Sequence, residues 1–435
     1  MSQKNRSRLL GAGLAAFTVT LAVVCGLAWP MPLELGQRHL LTPFGDSHVW
    51  VFHWVSTQLG AGELPELTYE AGYPQLRRIR LIGWAPALAS LPLQGLLGPL
   101  AAVNLAQLLS LPISALAAMA LVRRWTGVEP LAAAALGVCY AMGPTLLSTF
   151  GMGEISNTQA WTLPLFLWCL DRAQADLRWA VGLFMVSFLT AFSSPYYGLA
   201  LPLLVGGWVS LVLGAAGWRR LATGTGRLGR AVVRQGVLLA TVAAGLWPAH
   251  GYYVPHESGG GGSIFQPARF HLSLDRLPYP YPSASPLELV LARAPLARSP
   301  YEPVHVSYLG LALVLVALVA VVAAIRGWRL GRHEEMGGTA VREETQRFPG
   351  PVGWPRGMNM GLFLVVLGTV LALGPYLTWG GHYVRLGESP VPLPVRLLEV
   401  LGYPTRWGGL YFRYSVVASL GLVVVIGAGL CRVGR

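Results

Sequence analysis

Lysine is nearly absent from this chain. Lys4 is the only one in 435 residues, which removes two chemistries at once. A Walker-type phosphate loop needs a lysine beside its glycines, and Schiff-base catalysis needs a lysine amine. Charge of either sign is scarce, at 12% of residues against 54% hydrophobic. That ratio excludes a soluble domain, because the apolar surface exceeds what one globular core can hide. Cysteine is scarce as well. Cys25, Cys139, Cys169 and Cys431 lie on different hydrophobic runs with no paired spacing, so neither a disulfide framework nor a zinc site is indicated. No internal repeat is visible, which argues against transporters built from inverted halves. Ionisable residues inside the hydrophobic runs are almost missing, which argues against proton- or ion-coupled transport.

What the chain does have is a succession of uncharged runs long enough to cross ~30 Å of hydrocarbon as helices. We read ten of them: Leu9 to Trp29, Leu100 to Val122, Leu131 to Phe150, Ile155 to Leu170, Leu177 to Phe192, Tyr196 to Ala216, Gly236 to Tyr253, His305 to Ile325, Met358 to Trp379 and Phe412 to Cys431. The expected fold is therefore an all-α polytopic membrane protein, a single integral membrane domain over residues 1–435 with about ten transmembrane helices. The segment Leu81 to Gly98 is apolar but short, and it carries Pro86 and Pro92. Charge decides its place. If it does not span, 20 of the 32 Lys and Arg fall on one side, on the shorter loops, whereas a spanning segment leaves only 11 there. The positive-inside rule favours the first arrangement. Leu81 to Gly98 then lies along the outer interface as a juxtamembrane helix, and both termini are cytoplasmic. Lys4, Arg6 and Arg8 precede the first run, which is long for a signal peptide and lacks a clear cleavage site, so it is read as a retained anchor.

This topology accounts for the net charge of +13: the basic excess faces anionic lipid on the cytoplasmic side and is not a nucleic-acid footprint. It also leaves three large outer segments, 30–99, 254–304 and 380–411, in which catalytic or binding residues are to be sought. The first is long and carries the juxtamembrane helices. The second contains a run of four glycines from Gly259 to Gly262 and a proline-rich stretch from Pro278 to Pro282, a pattern of a pliant loop followed by a stiff one. The cytoplasmic loop 326–357 mixes arginines with Glu334, Glu335, Glu343 and Glu344 and reads as a solvated connector.

Asp46 opens the most informative stretch, about seventeen residues beyond the first run. A carboxylate there can act as a general base on a hydroxyl acceptor, help to hold a divalent metal, or cap a short interfacial helix. His53 follows seven positions on and shares its face if the segment is helical, whereas His48 does not. Both histidines are candidates for substrate contact. Glu154 falls in a short glycine-bounded outer turn that can approach Asp46, with a helix N-terminal acid as the other reading. Tyr196 and Tyr197 lie on the same face and can line a groove or anchor the interface. Arg77, Arg78, Arg406 and Arg413 sit on the side where positive charge is disfavoured. A lipid-linked phosphate would account for them, since guanidinium binds phosphate oxygens in bidentate fashion, and so would phospholipid headgroups. No histidine pair has the local spacing of a helical metal site, so no metal ligands are assigned and the cofactor is unknown, with a divalent metal left open.

The order of these features resembles bacterial GT-C-type membrane glycosyltransferases, in particular the YfhO-like proteins linked to cell-envelope polymers. The matching pieces are Gly45-Asp46-Ser47 after the first run, Asn104 opening the second, Arg123-Arg124-Trp125-Thr126-Gly127, Pro144, the turn with Gly151, and Pro164-Leu165 with Asp171-Arg172. Further on come Tyr308-Leu309-Gly310, Leu373-Gly374-Pro375, and Arg406 to Arg413 before the last run. The resemblance implies a hexosyltransferase of the bacterial cytoplasmic membrane that moves a sugar from a polyprenyl-phosphate donor to an envelope acceptor at the outer face. Its partners would be that lipid-linked donor, membrane lipids and the acceptor, with no nucleic acid. It also implies that Asp46 takes the role of the first-loop acid, with Glu154 as a second catalytic position. The sequence departs from the family in carrying Glu154 where a histidine is expected and in stopping directly after a hydrophobic run. A different class is open as well: a lipid or envelope-polymer translocation or assembly protein without covalent chemistry, which needs a polar path through the spans.

The topology is open to a direct check. Reporter fusions after Arg124, Arg230 and Gln346 should read cytoplasm, and fusions near Glu70 and Gly260 should read outside. Reversal of the three downstream sites would mean that Leu81 to Gly98 spans.

Overall fold

A computed structural model of the chain describes residues 3–38, 45–63, 67–68, 77–78, 83–223, 228–253, 310–334, 357–379, 382–401 and 411–433. Each of the ten hydrophobic runs meets helix: α1 is Gln3–Leu27, α5 Pro99–Thr126, α6 Pro130–Ala141 with α7 Pro144–Gly151, α8 Ile155–Thr158 with α9 Thr162–Ala175, and α10 Trp179–Ser193. There follow α11 Pro195–Thr223, α12 Leu228–Tyr253, α13 Leu311–Glu334, α14 Met358–Leu373 and α16 Ser415–Val433. Four of these are long and apolar enough to cross a membrane: α1, α5, α11 over Pro195–Gly214 and α12 over Gly229–Ala249. A fifth results if α6 and α7, which meet at a 50° bend, form one span. The bend has a local cause in Gly143-Pro144, where the proline ring removes a backbone donor and crowds the preceding turn. The stretches Trp179–Ser193, Ala312–Arg326, Met358–Leu373 and Ser415–Cys431 are apolar but shorter. The predominantly helical character expected from the sequence is thus present, and among the described residues four or five helices have membrane-crossing length.

Helix α5 is the hub. Its apolar window is 61% buried against 22% for α1 and for α12, and it packs on α1, α6, α9 and α16. Helices α9, α10 and α12 form one flank, with α11 beside α10 and α12, and α13, α14 and α16 form the other. Asn104 near the start of α5 reaches the chain just beyond α1, and Leu116 further along faces Gly13 near the start of α1, so the two run antiparallel. We call the end holding the first turns of α5 proximal and the end holding Arg123 and Arg124 distal. Helix α16 finishes distally, with Gly427 against Val122 and Thr126. Both described ends of the chain therefore lie at the distal end.

Small residues let α14 and α16 approach closely. A Cβ built on Gly368 of α14 would lie 2.2 Å from the backbone nitrogen of Ala418, and one on Gly421 of α16 would lie 2.6 Å from that of Val365. Bilayer lipid is as apolar as leucine, so helices there gain from close backbone approach and not from hiding apolar surface. The α14–α16 contact matters because the residues just before α16 carry part of the candidate site described below.

The segment Leu81 to Gly98 forms no spanning helix. Its described part holds α3, Trp84–Ala89, and α4, Leu91–Leu97, of six and seven residues, which at ~1.5 Å per residue are far too short to cross. Leu88, Leu93, Leu96 and Leu97 are exposed along them. Before them lie α2, Gly45–Gly60, and a two-stranded hairpin, β1 Leu67–Thr68 paired antiparallel with β2 Arg77–Arg78. After α14 come two small hairpins, β3 Thr378–Trp379 with β4 His382–Tyr383 and β5 Arg385–Leu386 with β6 Ser389–Pro390, and then α15, Pro394–Val400. The segment 254–304 and residues 335–356 of the loop 326–357 lie outside the described residues.

Overpacking the α14–α16 contact should be costly. Gly368→Ala is expected to lower stability by about 1 to 3 kcal/mol, read as a lower melting temperature in detergent. Gly206→Ala on α11, where an added Cβ meets nothing within 4 Å, should leave the melting temperature unchanged or slightly raised through helix propensity.

Candidate functional site

Between α7 and α9 the chain leaves regular helix for about ten residues, turning at Gly153 with φ +71° and making only the single turn α8. This stretch is polar, yet Glu154, Ser156, Asn157, Thr158 and Gln159 are all buried. Irregular backbone inside an apolar bundle is tolerated only where its polar groups are satisfied by protein, and here they are. The amides of Asn157 and Thr158 donate to the Glu154 carbonyl at 3.0 and 3.2 Å. The Gln107 side chain donates from α5 to the Phe150 carbonyl at 2.7 Å, and the Tyr140 hydroxyl donates from α6 to the Ala160 carbonyl at 3.0 Å.

At the centre is an ion pair between residues 259 positions apart. Arg413 Nη2 donates to Glu154 Oε1 at 2.6 Å and Oε2 at 2.8 Å, and the two side chains are only 6% and 4% exposed. Asn157 Nδ2 donates to Glu154 Oε2 at 2.8 Å. Ser194 Oγ, at the junction of α10 and α11, donates to Asn157 Oδ1 at 2.9 Å, and the Tyr197 hydroxyl donates to the Asn157 carbonyl at 2.7 Å. The Tyr196 ring lies 4.2 Å from the Arg413 guanidinium carbon, a cation–π contact that braces the charge from one face. The turn Tyr411–Tyr414 that carries Arg413 is a 3-10 turn held on its other side. The Tyr411 hydroxyl donates to Glu399 Oε1 at 2.6 Å, Arg396 Nη1 donates to Glu399 Oε2 at 3.1 Å, and the Thr145 and Ser415 hydroxyls share a 2.8 Å hydrogen bond. Tyr383, close enough to Glu399 to feel its charge, has its phenol pushed up to about 12 by burial, with Tyr376 and Glu399 adding to the effect.

Helix α2 closes over this cluster. Phe52, Trp54 and Val55 are buried with Val103 of α5 and with Ile155, the residue next to Glu154. Asn104 anchors the approach to α2 by donating to the Leu35 and Arg38 carbonyls at 2.8 and 2.6 Å. His48 is half-buried, and burial, helped by the nearby Arg413 charge, lowers its imidazole from 6.5 to about 4. It is therefore neutral at pH 7 and can accept a hydrogen bond.

Of the residues proposed from the sequence, Glu154, Tyr196, Tyr197 and Arg413 converge in one network and His48 stands beside it. His53 does not join them: it is exposed, and helix α2 puts it in line with position 46 on a different face from His48. Asp46 lies in the first turn of α2, and Arg77 and Arg78 form β2, but their side chains, and Arg406 altogether, lie outside the described residues. The Glu154 carboxylate has both oxygens taken up by Arg413 and Asn157. Asn157 and Ser194 are central as well, and the sequence signal for them is an uncompensated amide, Asn157, inside a hydrophobic run. Among the described residues, no group of three or more His, Cys, Asp or Glu could hold a metal ion. In comparisons with known proteins, the chain matches no family model and no curated protein.

The His48 shift gives a pH dependence of fixed sign. Between pH 6.5 and 4 the unfolded chain binds a proton at this position and the folded chain does not, so stability is complete above 6.5 and is lost as pH falls toward 4. The full shift corresponds to roughly 3 kcal/mol, reduced to about 1 to 2 kcal/mol because part of the residue reaches solvent. His48→Gln should flatten the melting-temperature profile across this window, and an unchanged profile would show that His48 is not the titrating group.

Proposed function

We propose that this chain is a multi-pass, GT-C-like glycosyltransferase of the bacterial cytoplasmic membrane, with both termini cytoplasmic and about ten spans. In this reading it moves a sugar from a polyprenyl-phosphate donor to an envelope acceptor at the outer face. The observation that carries the reading is the buried Arg413–Glu154–Asn157–Ser194 network with neutral His48 beside it, at the bundle end covered by α2. Holding a guanidinium inside an apolar bundle costs several kcal/mol before its pairing is counted, and an apolar replacement is often at least as stable. Such groups in membrane helices mark substrate paths. An arginine braced by a carboxylate and an aromatic ring is pre-organised for a phosphate oxygen.

Within this reading the two carboxylates take different roles. With both oxygens engaged, Glu154 suits the orientation of Arg413 better than proton transfer, so Asp46 is the group proposed to take the acceptor proton. The hydroxyls of Ser110 and Ser114, midway along α5, donate back to carbonyls of their own helix. That pattern favours chemistry at one end of the bundle over the polar path that translocation of a lipid or polymer needs.

The test is Asp46→Asn, which keeps size and capping ability but not basicity. Transfer from a polyprenyl-phosphate sugar should fall by roughly 10²-fold or more, with little change in melting temperature. Full activity in the Asn variant would remove the base assignment and put the translocation or assembly reading first.

A further inference from the structure

The distal end of the bundle holds a second arginine arrangement unlike the first. Arg172, in the last turn of α9, has its guanidinium carbon 5.0 Å from the Trp168 ring and 5.6 Å from the Trp179 ring, and the two rings meet edge to face at 4.9 Å. The neighbouring Asp171 is committed to Arg124. Among the described residues no carboxylate pairs with Arg172, and its buried Nε has no hydrogen-bond partner. The charge is thus held in place by aromatic faces, which orient a guanidinium without neutralising it. The residue as a whole is half-buried, so it is neither sealed in the core nor free in solvent.

The surroundings supply the other half of an amphiphile's chemistry. Exposed Arg178 opens α10 beside Trp179, and on the same helical line, three and seven residues on, stand Val181 and Met185, 70% and 49% exposed. On α12 exposed Arg234, which donates to the Gln174 carbonyl of α9 at 2.5 Å, is followed three residues on by exposed Val237. Two helices therefore present a guanidinium at the distal end near Arg172, followed on α10 by an uncovered apolar stripe and on α12 by exposed Val237. Tryptophans at such a boundary face both the apolar and the polar layer.

We propose that Arg172, with Trp168 and Trp179, forms a headgroup site for an anionic phospholipid, whose phosphodiester bridges Arg172 and Arg178 or Arg234 while its acyl chains cover the Val181–Met185 stripe. A free phosphate would satisfy the guanidinium but leave the stripe bare. This site is independent of the glycosyl-transfer reading.

The test uses the purified full chain in phosphatidylcholine nanodiscs containing increasing phosphatidylglycerol, with bound lipid counted by native mass spectrometry after release into detergent and melting temperature followed in parallel. Phosphatidylglycerol should be retained in preference to phosphatidylcholine and should raise the melting temperature. Arg172→Gln should weaken retention by about fivefold, the factor for one basic residue near an anionic surface, and so should at least one of Arg178→Gln and Arg234→Gln. Arg172→Lys should recover little, because an ammonium does not present the planar fork. If Arg172→Gln does not fold, the exposed Arg178→Gln and Arg234→Gln decide the matter. Retention equal to the unmodified chain in the folded variants overturns the site, and so does equal stabilisation by inorganic phosphate in phosphatidylcholine alone.

Discussion

The buried pair of Glu154 and Arg413 is the constraint around which the proximal half of the molecule is arranged. Each partner alone would be an uncompensated charge in an apolar bundle, and removing one typically costs 3 to 5 kcal/mol for that reason. The pair therefore fixes where two distant pieces of chain must meet. Glu154 sits on the irregular stretch between α7 and α9, and Arg413 on the turn that opens α16. Because Asn157 holds Glu154 and is itself held by Ser194 and Tyr197, the same pair reaches α10 and α11. On the other side Tyr411 carries the connection to Glu399 on α15.

Packing makes this geometry rigid enough to matter. The turn bearing Arg413 enters α16 directly, and α16 lies against α14 at a distance that only glycine permits at positions 368 and 421. A shift of that helix by a methyl group's width would move Arg413 by a similar amount, and hydrogen bonds of 2.6 and 2.8 Å do not tolerate such a displacement. Van der Waals packing and the ion pair thus act on the same turn from opposite ends. The small-residue interface supplies position and the carboxylate supplies direction.

How much of this was legible in the sequence depends on range. The helices were legible, since long uncharged runs have few other solutions in lipid, and the prolines of Leu81 to Gly98 fit its division into two short helices. Glu154 and Arg413 each stood out as a charge in an unexpected place. Their pairing did not, because no local pattern connects residues so far apart. The two histidines show a similar limit at shorter range. Helical spacing correctly separated His48 from His53, but which of them faces inward depends on how α2 packs against α5 and Ile155. The number of full spans is fixed even less by sequence: a run such as Leu131 to Phe150 has the right length, yet Gly143-Pro144 divides it at a 50° bend.

Charge accounting explains why so polar a site is compatible with its surroundings. Arg413 and Glu154 cancel, and the depressed value of His48 keeps that ring neutral at pH 7. The described part of the cluster therefore carries strong hydrogen-bond donors and acceptors but no net charge. Protonating His48 would leave one uncompensated positive charge beside Arg413, and this is the repulsion that, after burial, lowers its affinity for the proton. An anion arriving at Arg413 has to share the guanidinium with Glu154 or displace it. The carboxylate thus sets a threshold: a weakly basic headgroup that makes single hydrogen bonds gains little by competing with it. An anion able to use more than one donor, including those of neighbouring groups, gains more. Selectivity at such a site follows from the strength of the internal partner as much as from the shape of the groove.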